Sequence, residues 1–453
     1  PLQASAASRA RTASNRRGTR RGASRPGPPS TSYVVTGSRL PRQWQAPGVA
    51  LTMTGVPDQP GLVDLPWNIP LERWPASRLV GLPRGISRHV VRFVRVDEHI
   101  YAVKEIGSWS AHCEYAVLRA LERSSVPTVQ VVGLVDGRQA ADGAHLETAL
   151  VTRHLEFSLP YRALFSQTLR PETALRLLDA LAVLLVRLHL AGFYWGDCSL
   201  SNTLFRRDAG SFAAYLVDAE TTEQQDTLSD GQRAYDLSMA RTNIIGELMD
   251  LQAGLLLEET VDPVAIGDTI KARYEGLWAA LTAREEFKAD ERFRVDARIR
   301  RLNDLGFDIA ELEIVTGVDG EHVQIQPKVV DAGHHCRRLL RLTGLDVEEN
   351  QARRLLNDLD AYRVATDQND EPEEISAHDW LVKVFRPVAQ RLPAELRGKL
   401  DAAEVFHEVL VHRWYLSEAA GRDVGIDKAV GSYVDSVLRY RPDEKALVAL
   451  LEP

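Results

Sequence analysis

Trp195-Gly196-Asp197-Cys198-Ser199-Leu200-Ser201-Asn202, followed beyond a short apolar run by Leu216-Val217-Asp218, decides how this chain reads. An aspartate, an asparagine shortly after it and a second aspartate closing an apolar strand suit one task. That task is gripping a Mg-nucleotide beside a hydroxyl to be phosphorylated. Phosphoryl transfer needs metal ions to neutralise phosphate charge and a carboxylate to orient the nucleophile. Magnesium prefers oxygen ligands, takes few of them from protein, and completes its octahedron with phosphate and water. Asn202 and Asp218 suffice for the metal, which leaves Asp197 for the acceptor hydroxyl.

The D-x-x-x-x-N spacing is weak alone and gains weight from its setting. Upstream, Leu177, Leu181, Leu184 and Leu188 share one row of a helical pattern and Leu175, Leu178, Ala182 and Leu185 another, while Arg176, Asp179 and Arg187 lie opposite. This predicts a buried helix over Pro171–Leu190. After Asn202, Thr203-Leu204-Phe205, a turn-like stretch 206–210 and the apolar run 213–217 predict a short hairpin. Further upstream, Ile100-Tyr101-Ala102-Val103-Lys104-Glu105-Ile106 is β-prone with a lysine between apolar neighbours, and Glu114 is expected to open a helix with Leu118 and Leu121. A strand lysine held by a helix glutamate aims an ammonium at the α- and β-phosphates. Residues 148–155 read as a strand running into a linker. Asp236, expected at the start of another helix, would brace the Asp197 loop from below. Gly81 and Gly85 are the candidate glycines of a nucleotide loop, in which Pro83 removes one backbone donor. Singly, Lys104 also reads as an edge-strand lysine, Glu114 as a surface residue, Asp218 as a strand-end cap and Asn202 as a turn asparagine. Their shared order and the elements between them favour the site.

From about residue 79 to residue 257 the chain resembles a protein-kinase-like domain of the bacterial lipopolysaccharide-kinase or small-molecule-kinase type. Lys104, Glu114, Asp197, Asn202 and Asp218 stand in that family's order. The resemblance implies an α+β, bilobal kinase-like fold, with a small β-rich N-lobe and a mainly helical C-lobe. It also implies ATP and Mg²⁺ as cofactors. Leu65-Pro66-Trp67-Asn68-Ile69-Pro70 and residues 407–425 carry a second resemblance, covering nearly everything after Met53, to an uncharacterised actinobacterial family. There, such a domain is joined to a C-terminal domain of unknown function, number 4032.

The departures are informative. Trp195-Gly196 replaces His-Arg before the aspartate, so no arginine is present there to grip a phosphorylated activation loop, while Gly196 matches small-molecule kinases. Ser199 stands where protein kinases have lysine. Ala219-Glu220 replaces the Phe-Gly switch. The interval from Asp218 to Asp236 is too short for a full peptide-binding segment, which disfavours protein substrates.

A chain of 453 residues has room for two or three domains. The net charge of −8 hides an asymmetry, because the residues before Met53 hold nine arginines and no Asp or Glu. The rest is acidic, which argues against nucleic-acid binding by the folded body. The three cysteines, Cys113, Cys198 and Cys336, lack metal spacing and fit a reducing cytoplasm. No stretch has the apolar length of a membrane span. The boundaries expected are a disordered basic tail over 1–52, an N-terminal segment and N-lobe over 53–155, a C-lobe over 156–283 and a family-specific domain over 284–453. The tail has the composition of disorder. It also reads as a transit-like segment, or as upstream sequence translated ahead of a start at Met53.

Residues 264–305 are expected to be mostly helical, with the mixed charges around 284–290 on a solvated face. Glu311-Leu312-Glu313-Ile314-Val315 and Glu321-His322-Val323-Gln324-Ile325 flank Gly317-Val318-Asp319-Gly320 as a predicted β-hairpin. Helices are expected over 332–343, 347–363 and 380–451, with an acidic loop at 367–374. His407 and His412 imitate a zinc-protease pair but are one residue too far apart to share a helix face. His334-His335-Cys336 reads as structural, with a partner-facing role open to His334, and Arg337, Arg338 and Arg341 read as a solvated face ahead of an anion site at a helix.

Two functional readings follow. One is an ATP- and Mg-dependent phosphotransferase for a small hydroxylated acceptor. The alternative is a non-catalytic nucleotide-binding pseudokinase that regulates a protein partner.

Overall fold

β-Branched and aromatic runs near the start of the chain pair into one antiparallel sheet. The computed structural model describes residues 32–35, 51–55, 60–82, 88–165, 170–283, 285–288, 293–294, 297, 300, 307–316 and 322–445. Strands β1 (Ser32–Val35), β2 (Leu51–Gly55), β3 (Val90–Val96), β4 (His99–Ile106), β5 (Val131–Asp136) and β6 (Thr148–Arg153) lie in the order β1-β2-β5-β6-β4-β3. Residues 32–35 and 51–52 were expected to lack regular structure. The short Ser-Tyr-Val-Val run pairs with β2, because local β-propensity acts on a few residues and averaged composition hides it.

Each face of this sheet is covered. Helix α1 (Ser108–Arg123) buries Ala111, Leu118 and Leu121 with Val131, Leu134 and Leu150. It starts at Ser108, so Glu114 lies well inside the helix rather than opening it. On the other face, Leu62, Leu65, Trp67, Leu71 and Trp74 pack on Val94, Tyr101, Val103 and Val151. Arg138, its side chain wholly buried, ties this segment down: it pairs with Glu105 at 2.6 Å and donates to the carbonyls of Trp67, Ile69 and Glu147. Glu105 also accepts from the Leu71 amide at 3.2 Å. A buried ion pair is tolerated when its remaining hydrogen-bonding capacity is met in this way. The strand neighbour of Lys104 is thereby anchored.

The second lobe forms around α3 (Pro171–Leu190), introduced by β7 (Ser158–Pro160) and α2 (Tyr161–Phe165). The predicted row Leu177, Leu181, Leu184 and Leu188 is buried, and Pro171 starts the helix where its missing N–H costs nothing. Beyond it come β8 (Phe193–Tyr194), β9 (Thr203–Asp208), β10 (Ser211–Leu216), β11 (Glu223–Gln224), α4 (Asp230–Ala253) and α5 (Pro263–Thr282). β9 and β10 form the predicted hairpin, joined by Ala209-Gly210. α4 starts at Asp230, capped by Ser229 and Gln232 in a reciprocal capping box, so Asp236 sits beyond its first turn.

Past residue 283 the expected helical run breaks. β12 (Glu285–Lys288) pairs with β14 (His322–Ala332), which pairs with β13 (Phe307–Thr316). Glu285–Lys288, read as a charged helix face, is a strand because a distant partner supplies its backbone hydrogen bonds. The β13–β14 hairpin is longer than predicted, and its turn lies outside the described residues. Helices His334–Thr343, Glu349–Ala365, Glu373–Trp380, Ala402–Ala420 and Ile426–Ser436 then enclose a separate core, with Trp380 edge-on to Phe406 at 5.9 Å between centroids. His412 lies 2.9 Å from Ser432 Oγ and His335 2.7 Å from Glu349, so each serves its own helix packing. No helix among the described residues is long and apolar enough to cross a membrane.

Candidate nucleotide and phosphoryl-transfer site

Lys104 is delivered by β4 and Glu114 by α1, and the two meet with Nζ 3.0 Å from Oε2. The same Nζ lies 3.1 Å from Asp218 Oδ1 and 3.2 Å from Oδ2. The Lys104 side chain is 12% exposed and that of Glu114 2%, so the pair is largely shielded from water. Burial alone lowers the lysine pKa, but Glu114 and Asp218 outweigh it and raise it, so the ammonium persists. Burial, helped by Asp218 and opposed by Lys104, pushes the Glu114 carboxyl up to about 7. Glu114 Oε1 also faces the Ala219 amide at 3.4 Å, which couples α1 to the Asp218 segment.

Asp197 and Asn202 form the second half. Asn202 Nδ2 donates to Asp197 Oδ2 at 3.2 Å and to its carbonyl at 3.1 Å. The halves are joined through the hairpin: Val217 N donates to Asn202 O at 3.1 Å, and Thr203 pairs with Leu216. Asn202 therefore stands just before β9 and Asp218 just after β10, at the open end of one hairpin.

The loop carrying Asp197 is held mainly by α4. Asp236, fully buried, accepts from the amides of Trp195 at 2.8 Å and Gly196 at 2.9 Å, and lies 3.0 Å from His189 Nε2. This is the predicted bracing from below. Two further residues escaped the sequence reading. Asn243 Nδ2 donates to Asp197 Oδ1 at 3.0 Å and to the Cys198 carbonyl at 3.1 Å. Glu247 accepts from the amides of Leu200 at 2.6 Å and Ser201 at 2.9 Å, and from the Ser201 hydroxyl. Burial raises the Glu247 pKa, against those three donors. The available signal was spacing: Asp236, Asn243 and Glu247, seven and four apart, fall on one helix face.

Glu220 was also missed. Its Oε2 lies 3.0 Å from His89 Nε2, 3.4 Å from Arg88 and 3.8 Å from Lys104. Residues at the start of β3 are thus tied to the segment after Asp218. Gly81 is exposed with open space around it, and Gly85 lies outside the described residues.

Oxygen donors at Asn202 and Asp218 fit magnesium: Asn202 spends its amide nitrogen on Asp197, leaving the amide oxygen, and Asp218 is 30% exposed. Among the described residues no group of three or more His, Cys, Asp and Glu is gathered for a metal. A site that draws most ligands from phosphate and water needs no such group.

Residues 92–245 match the lipopolysaccharide kinase (Kdo/WaaP) family, and residues 276–438 match a domain of unknown function, DUF4032. No curated protein matches the chain. A solved structure described as WaaP in complex with acyl carrier protein is 20% identical, covering 51% of this chain and 90% of that one at a TM-score of 0.30. Two separate stretches of the chain are thus similar to known families, the first to the lipopolysaccharide kinase (Kdo/WaaP) family and the second to DUF4032.

Proposed function

We propose that the kinase-like domain transfers the γ-phosphoryl group of ATP to a hydroxyl of a small acceptor, such as a sugar, a lipid head group or a metabolite. Asp197 orients the acceptor hydroxyl and takes its proton as the new O–P bond forms and ADP departs. Lys104, braced by Glu114, positions the α- and β-phosphates. Asn202 and Asp218 hold Mg²⁺, which when bound neutralises the phosphate oxygens. Asn243 and Asn202 between them fix both carboxylate oxygens of Asp197, so its orientation does not depend on substrate. The observation that carries this reading is the Lys104 ammonium, 3.0 Å from Glu114 and 3.1 Å from Asp218. A cytoplasmic setting goes with it, since ATP is the donor and Cys113, Cys198 and Cys336 are free thiols.

The test pairs binding with turnover. A nucleotide at about 100 times its dissociation constant stabilises the fold by about 2.7 kcal/mol, so a thermal shift with Mg-ATP reports binding. Asp197→Asn should keep that shift and abolish phosphorylation across a panel of hydroxylated metabolites, whereas Lys104→Ala should lose the shift. Intact nucleotide binding with no acceptor ever phosphorylated would instead favour the pseudokinase reading.

A further inference from the structure

The hairpin that brings Asn202 and Asp218 together has two ends, and the DUF4032 stretch, with Glu444 just beyond its matched residues 276–438, grips the closed one. Arg206 reaches Glu348 and Asp401, each at 2.9 Å. Arg207 forks onto Glu444, with Nε at 3.0 Å and Nη2 at 2.8 Å. Asp208 accepts from the Gln351 amide at 2.7 Å and from Asn350 Nδ2 at 2.8 Å. At the turn, Ala209 and Gly210 have φ of 48° and 84°, and the Ala209 amide donates to Glu404 at 2.8 Å. On β10, the Tyr215 hydroxyl donates to Glu348 at 2.7 Å. Successive strand residues face opposite sides, so Arg206 and Arg207 hold the hairpin from both.

Asp208, Glu348, Glu404 and Glu444 are all buried. A buried charge is tolerated only where it is paired and hydrogen-bonded, and bidentate arginine pairs fix direction as well as distance. Such a junction has one good geometry and resists sliding. Only Thr203–Phe205 of β9, about 10 Å of strand, separate that junction from Asn202.

We propose that the DUF4032 domain is a built-in brace for the kinase-like domain, with Arg206, Arg207 and Asp208 as positioning residues. By fixing the closed end of the hairpin it holds the spacing of Asn202 and Asp218 at the open end. The mechanical part stands on the contacts alone; its consequence for magnesium rests on the phosphotransferase reading.

The test uses the full chain with Arg207→Glu, the swapped pair Arg207→Glu with Glu444→Arg, and the milder Glu404→Gln, which keeps the side-chain shape but removes the charge from the acceptor of Ala209 and Gln351. Hydrogen–deuterium exchange in the nucleotide-free protein is the first readout. Arg207→Glu should speed exchange over residues 197–204 by about tenfold or more while peptides from α1 and β4 stay as in the wild type, and the swapped pair should restore protection. If Arg207→Glu unfolds the whole chain, Glu404→Gln should still loosen 197–204 selectively. Faster exchange confined to residues 205–211 and the C-terminal helices, with 197–204 as protected as before, overturns the brace.

The second readout is the Mg²⁺ concentration that half-saturates stabilisation by a non-hydrolysable ATP analogue. It should rise by about tenfold in Arg207→Glu, with metal-free nucleotide binding unchanged. A wild-type protein with no Mg-dependent nucleotide binding would remove the phosphotransferase reading, while the exchange result would still decide the brace.

Discussion

Gly196 precedes Asp197 with a φ of 81°, and a Cβ there would lie 2.9 Å from the Thr221 carbonyl and 3.1 Å from the Tyr194 ring. The departure from His-Arg is thus steric as well as chemical: an arginine side chain has neither the backbone conformation nor the room. Left-handed backbone costs a non-glycine residue about 1–2 kcal/mol, before any contact is counted. Gly196→Ala should therefore lower unfolding free energy by at least that much and slow turnover, and a denaturant midpoint equal to the wild type would refute this. Glu220 supports a second prediction at this scale. Its carboxylate lies beside Lys104, His89 and Arg88, where incoming phosphates bring like charge. Glu220→Gln keeps the shape and removes the repulsion, so ATP should bind about tenfold more tightly, equivalent to about 1.4 kcal/mol. Unchanged or weaker affinity by calorimetry would mean that Glu220 does not oppose the nucleotide.

At the scale of elements, α3 was legible because its apolar rows repeat with helical period over many turns. β4 and the β9–β10 hairpin were legible through short apolar runs and a turn. Helix starts were less so. α1 begins at Gly107-Ser108 with no side-chain cap, so nothing local announced it, whereas the Ser229–Gln232 capping box of α4 was present in the sequence and passed over. β12 was missed because its charged residues carry no alternation, and its pairing is with a strand far along the chain. The polar face of α4 is the element on which the candidate site most depends. Asp236→Ala strips the acceptor from the Trp195 and Gly196 amides and the partner from His189. Each orphaned buried group costs about 1–3 kcal/mol, so a loss of at least about 2 kcal/mol is expected in chemical denaturation. A variant as stable as the wild type would show that the loop is held without α4.

At the scale of the molecule, five site residues could be ordered from the sequence, but the docking of the two domains could not. Arg206-Arg207-Asp208 looks like any polar turn until the C-terminal helices close over it. Burial makes that junction sensitive to pH. The Asp208 carboxyl is pushed up to about 7 by its burial and by Glu348, against the amides of Gln351 and Asn350 and the Asn350 side chain. In the unfolded chain an aspartate titrates near 3.9. Between about pH 4 and about pH 7 the folded protein thus holds a proton that the unfolded chain has released. By linkage, the stability due to this group is fully present at the acid end and falls as pH rises through that interval. Glu114, also pushed up to about 7, adds a slope of the same sign, so the comparison must isolate Asp208. Asp208→Asn keeps an acceptor and cannot titrate. Unfolding free energies at pH 5 and pH 8 should therefore fall less steeply for Asp208→Asn than for the wild type, and equal slopes would place no proton on Asp208 at the domain junction.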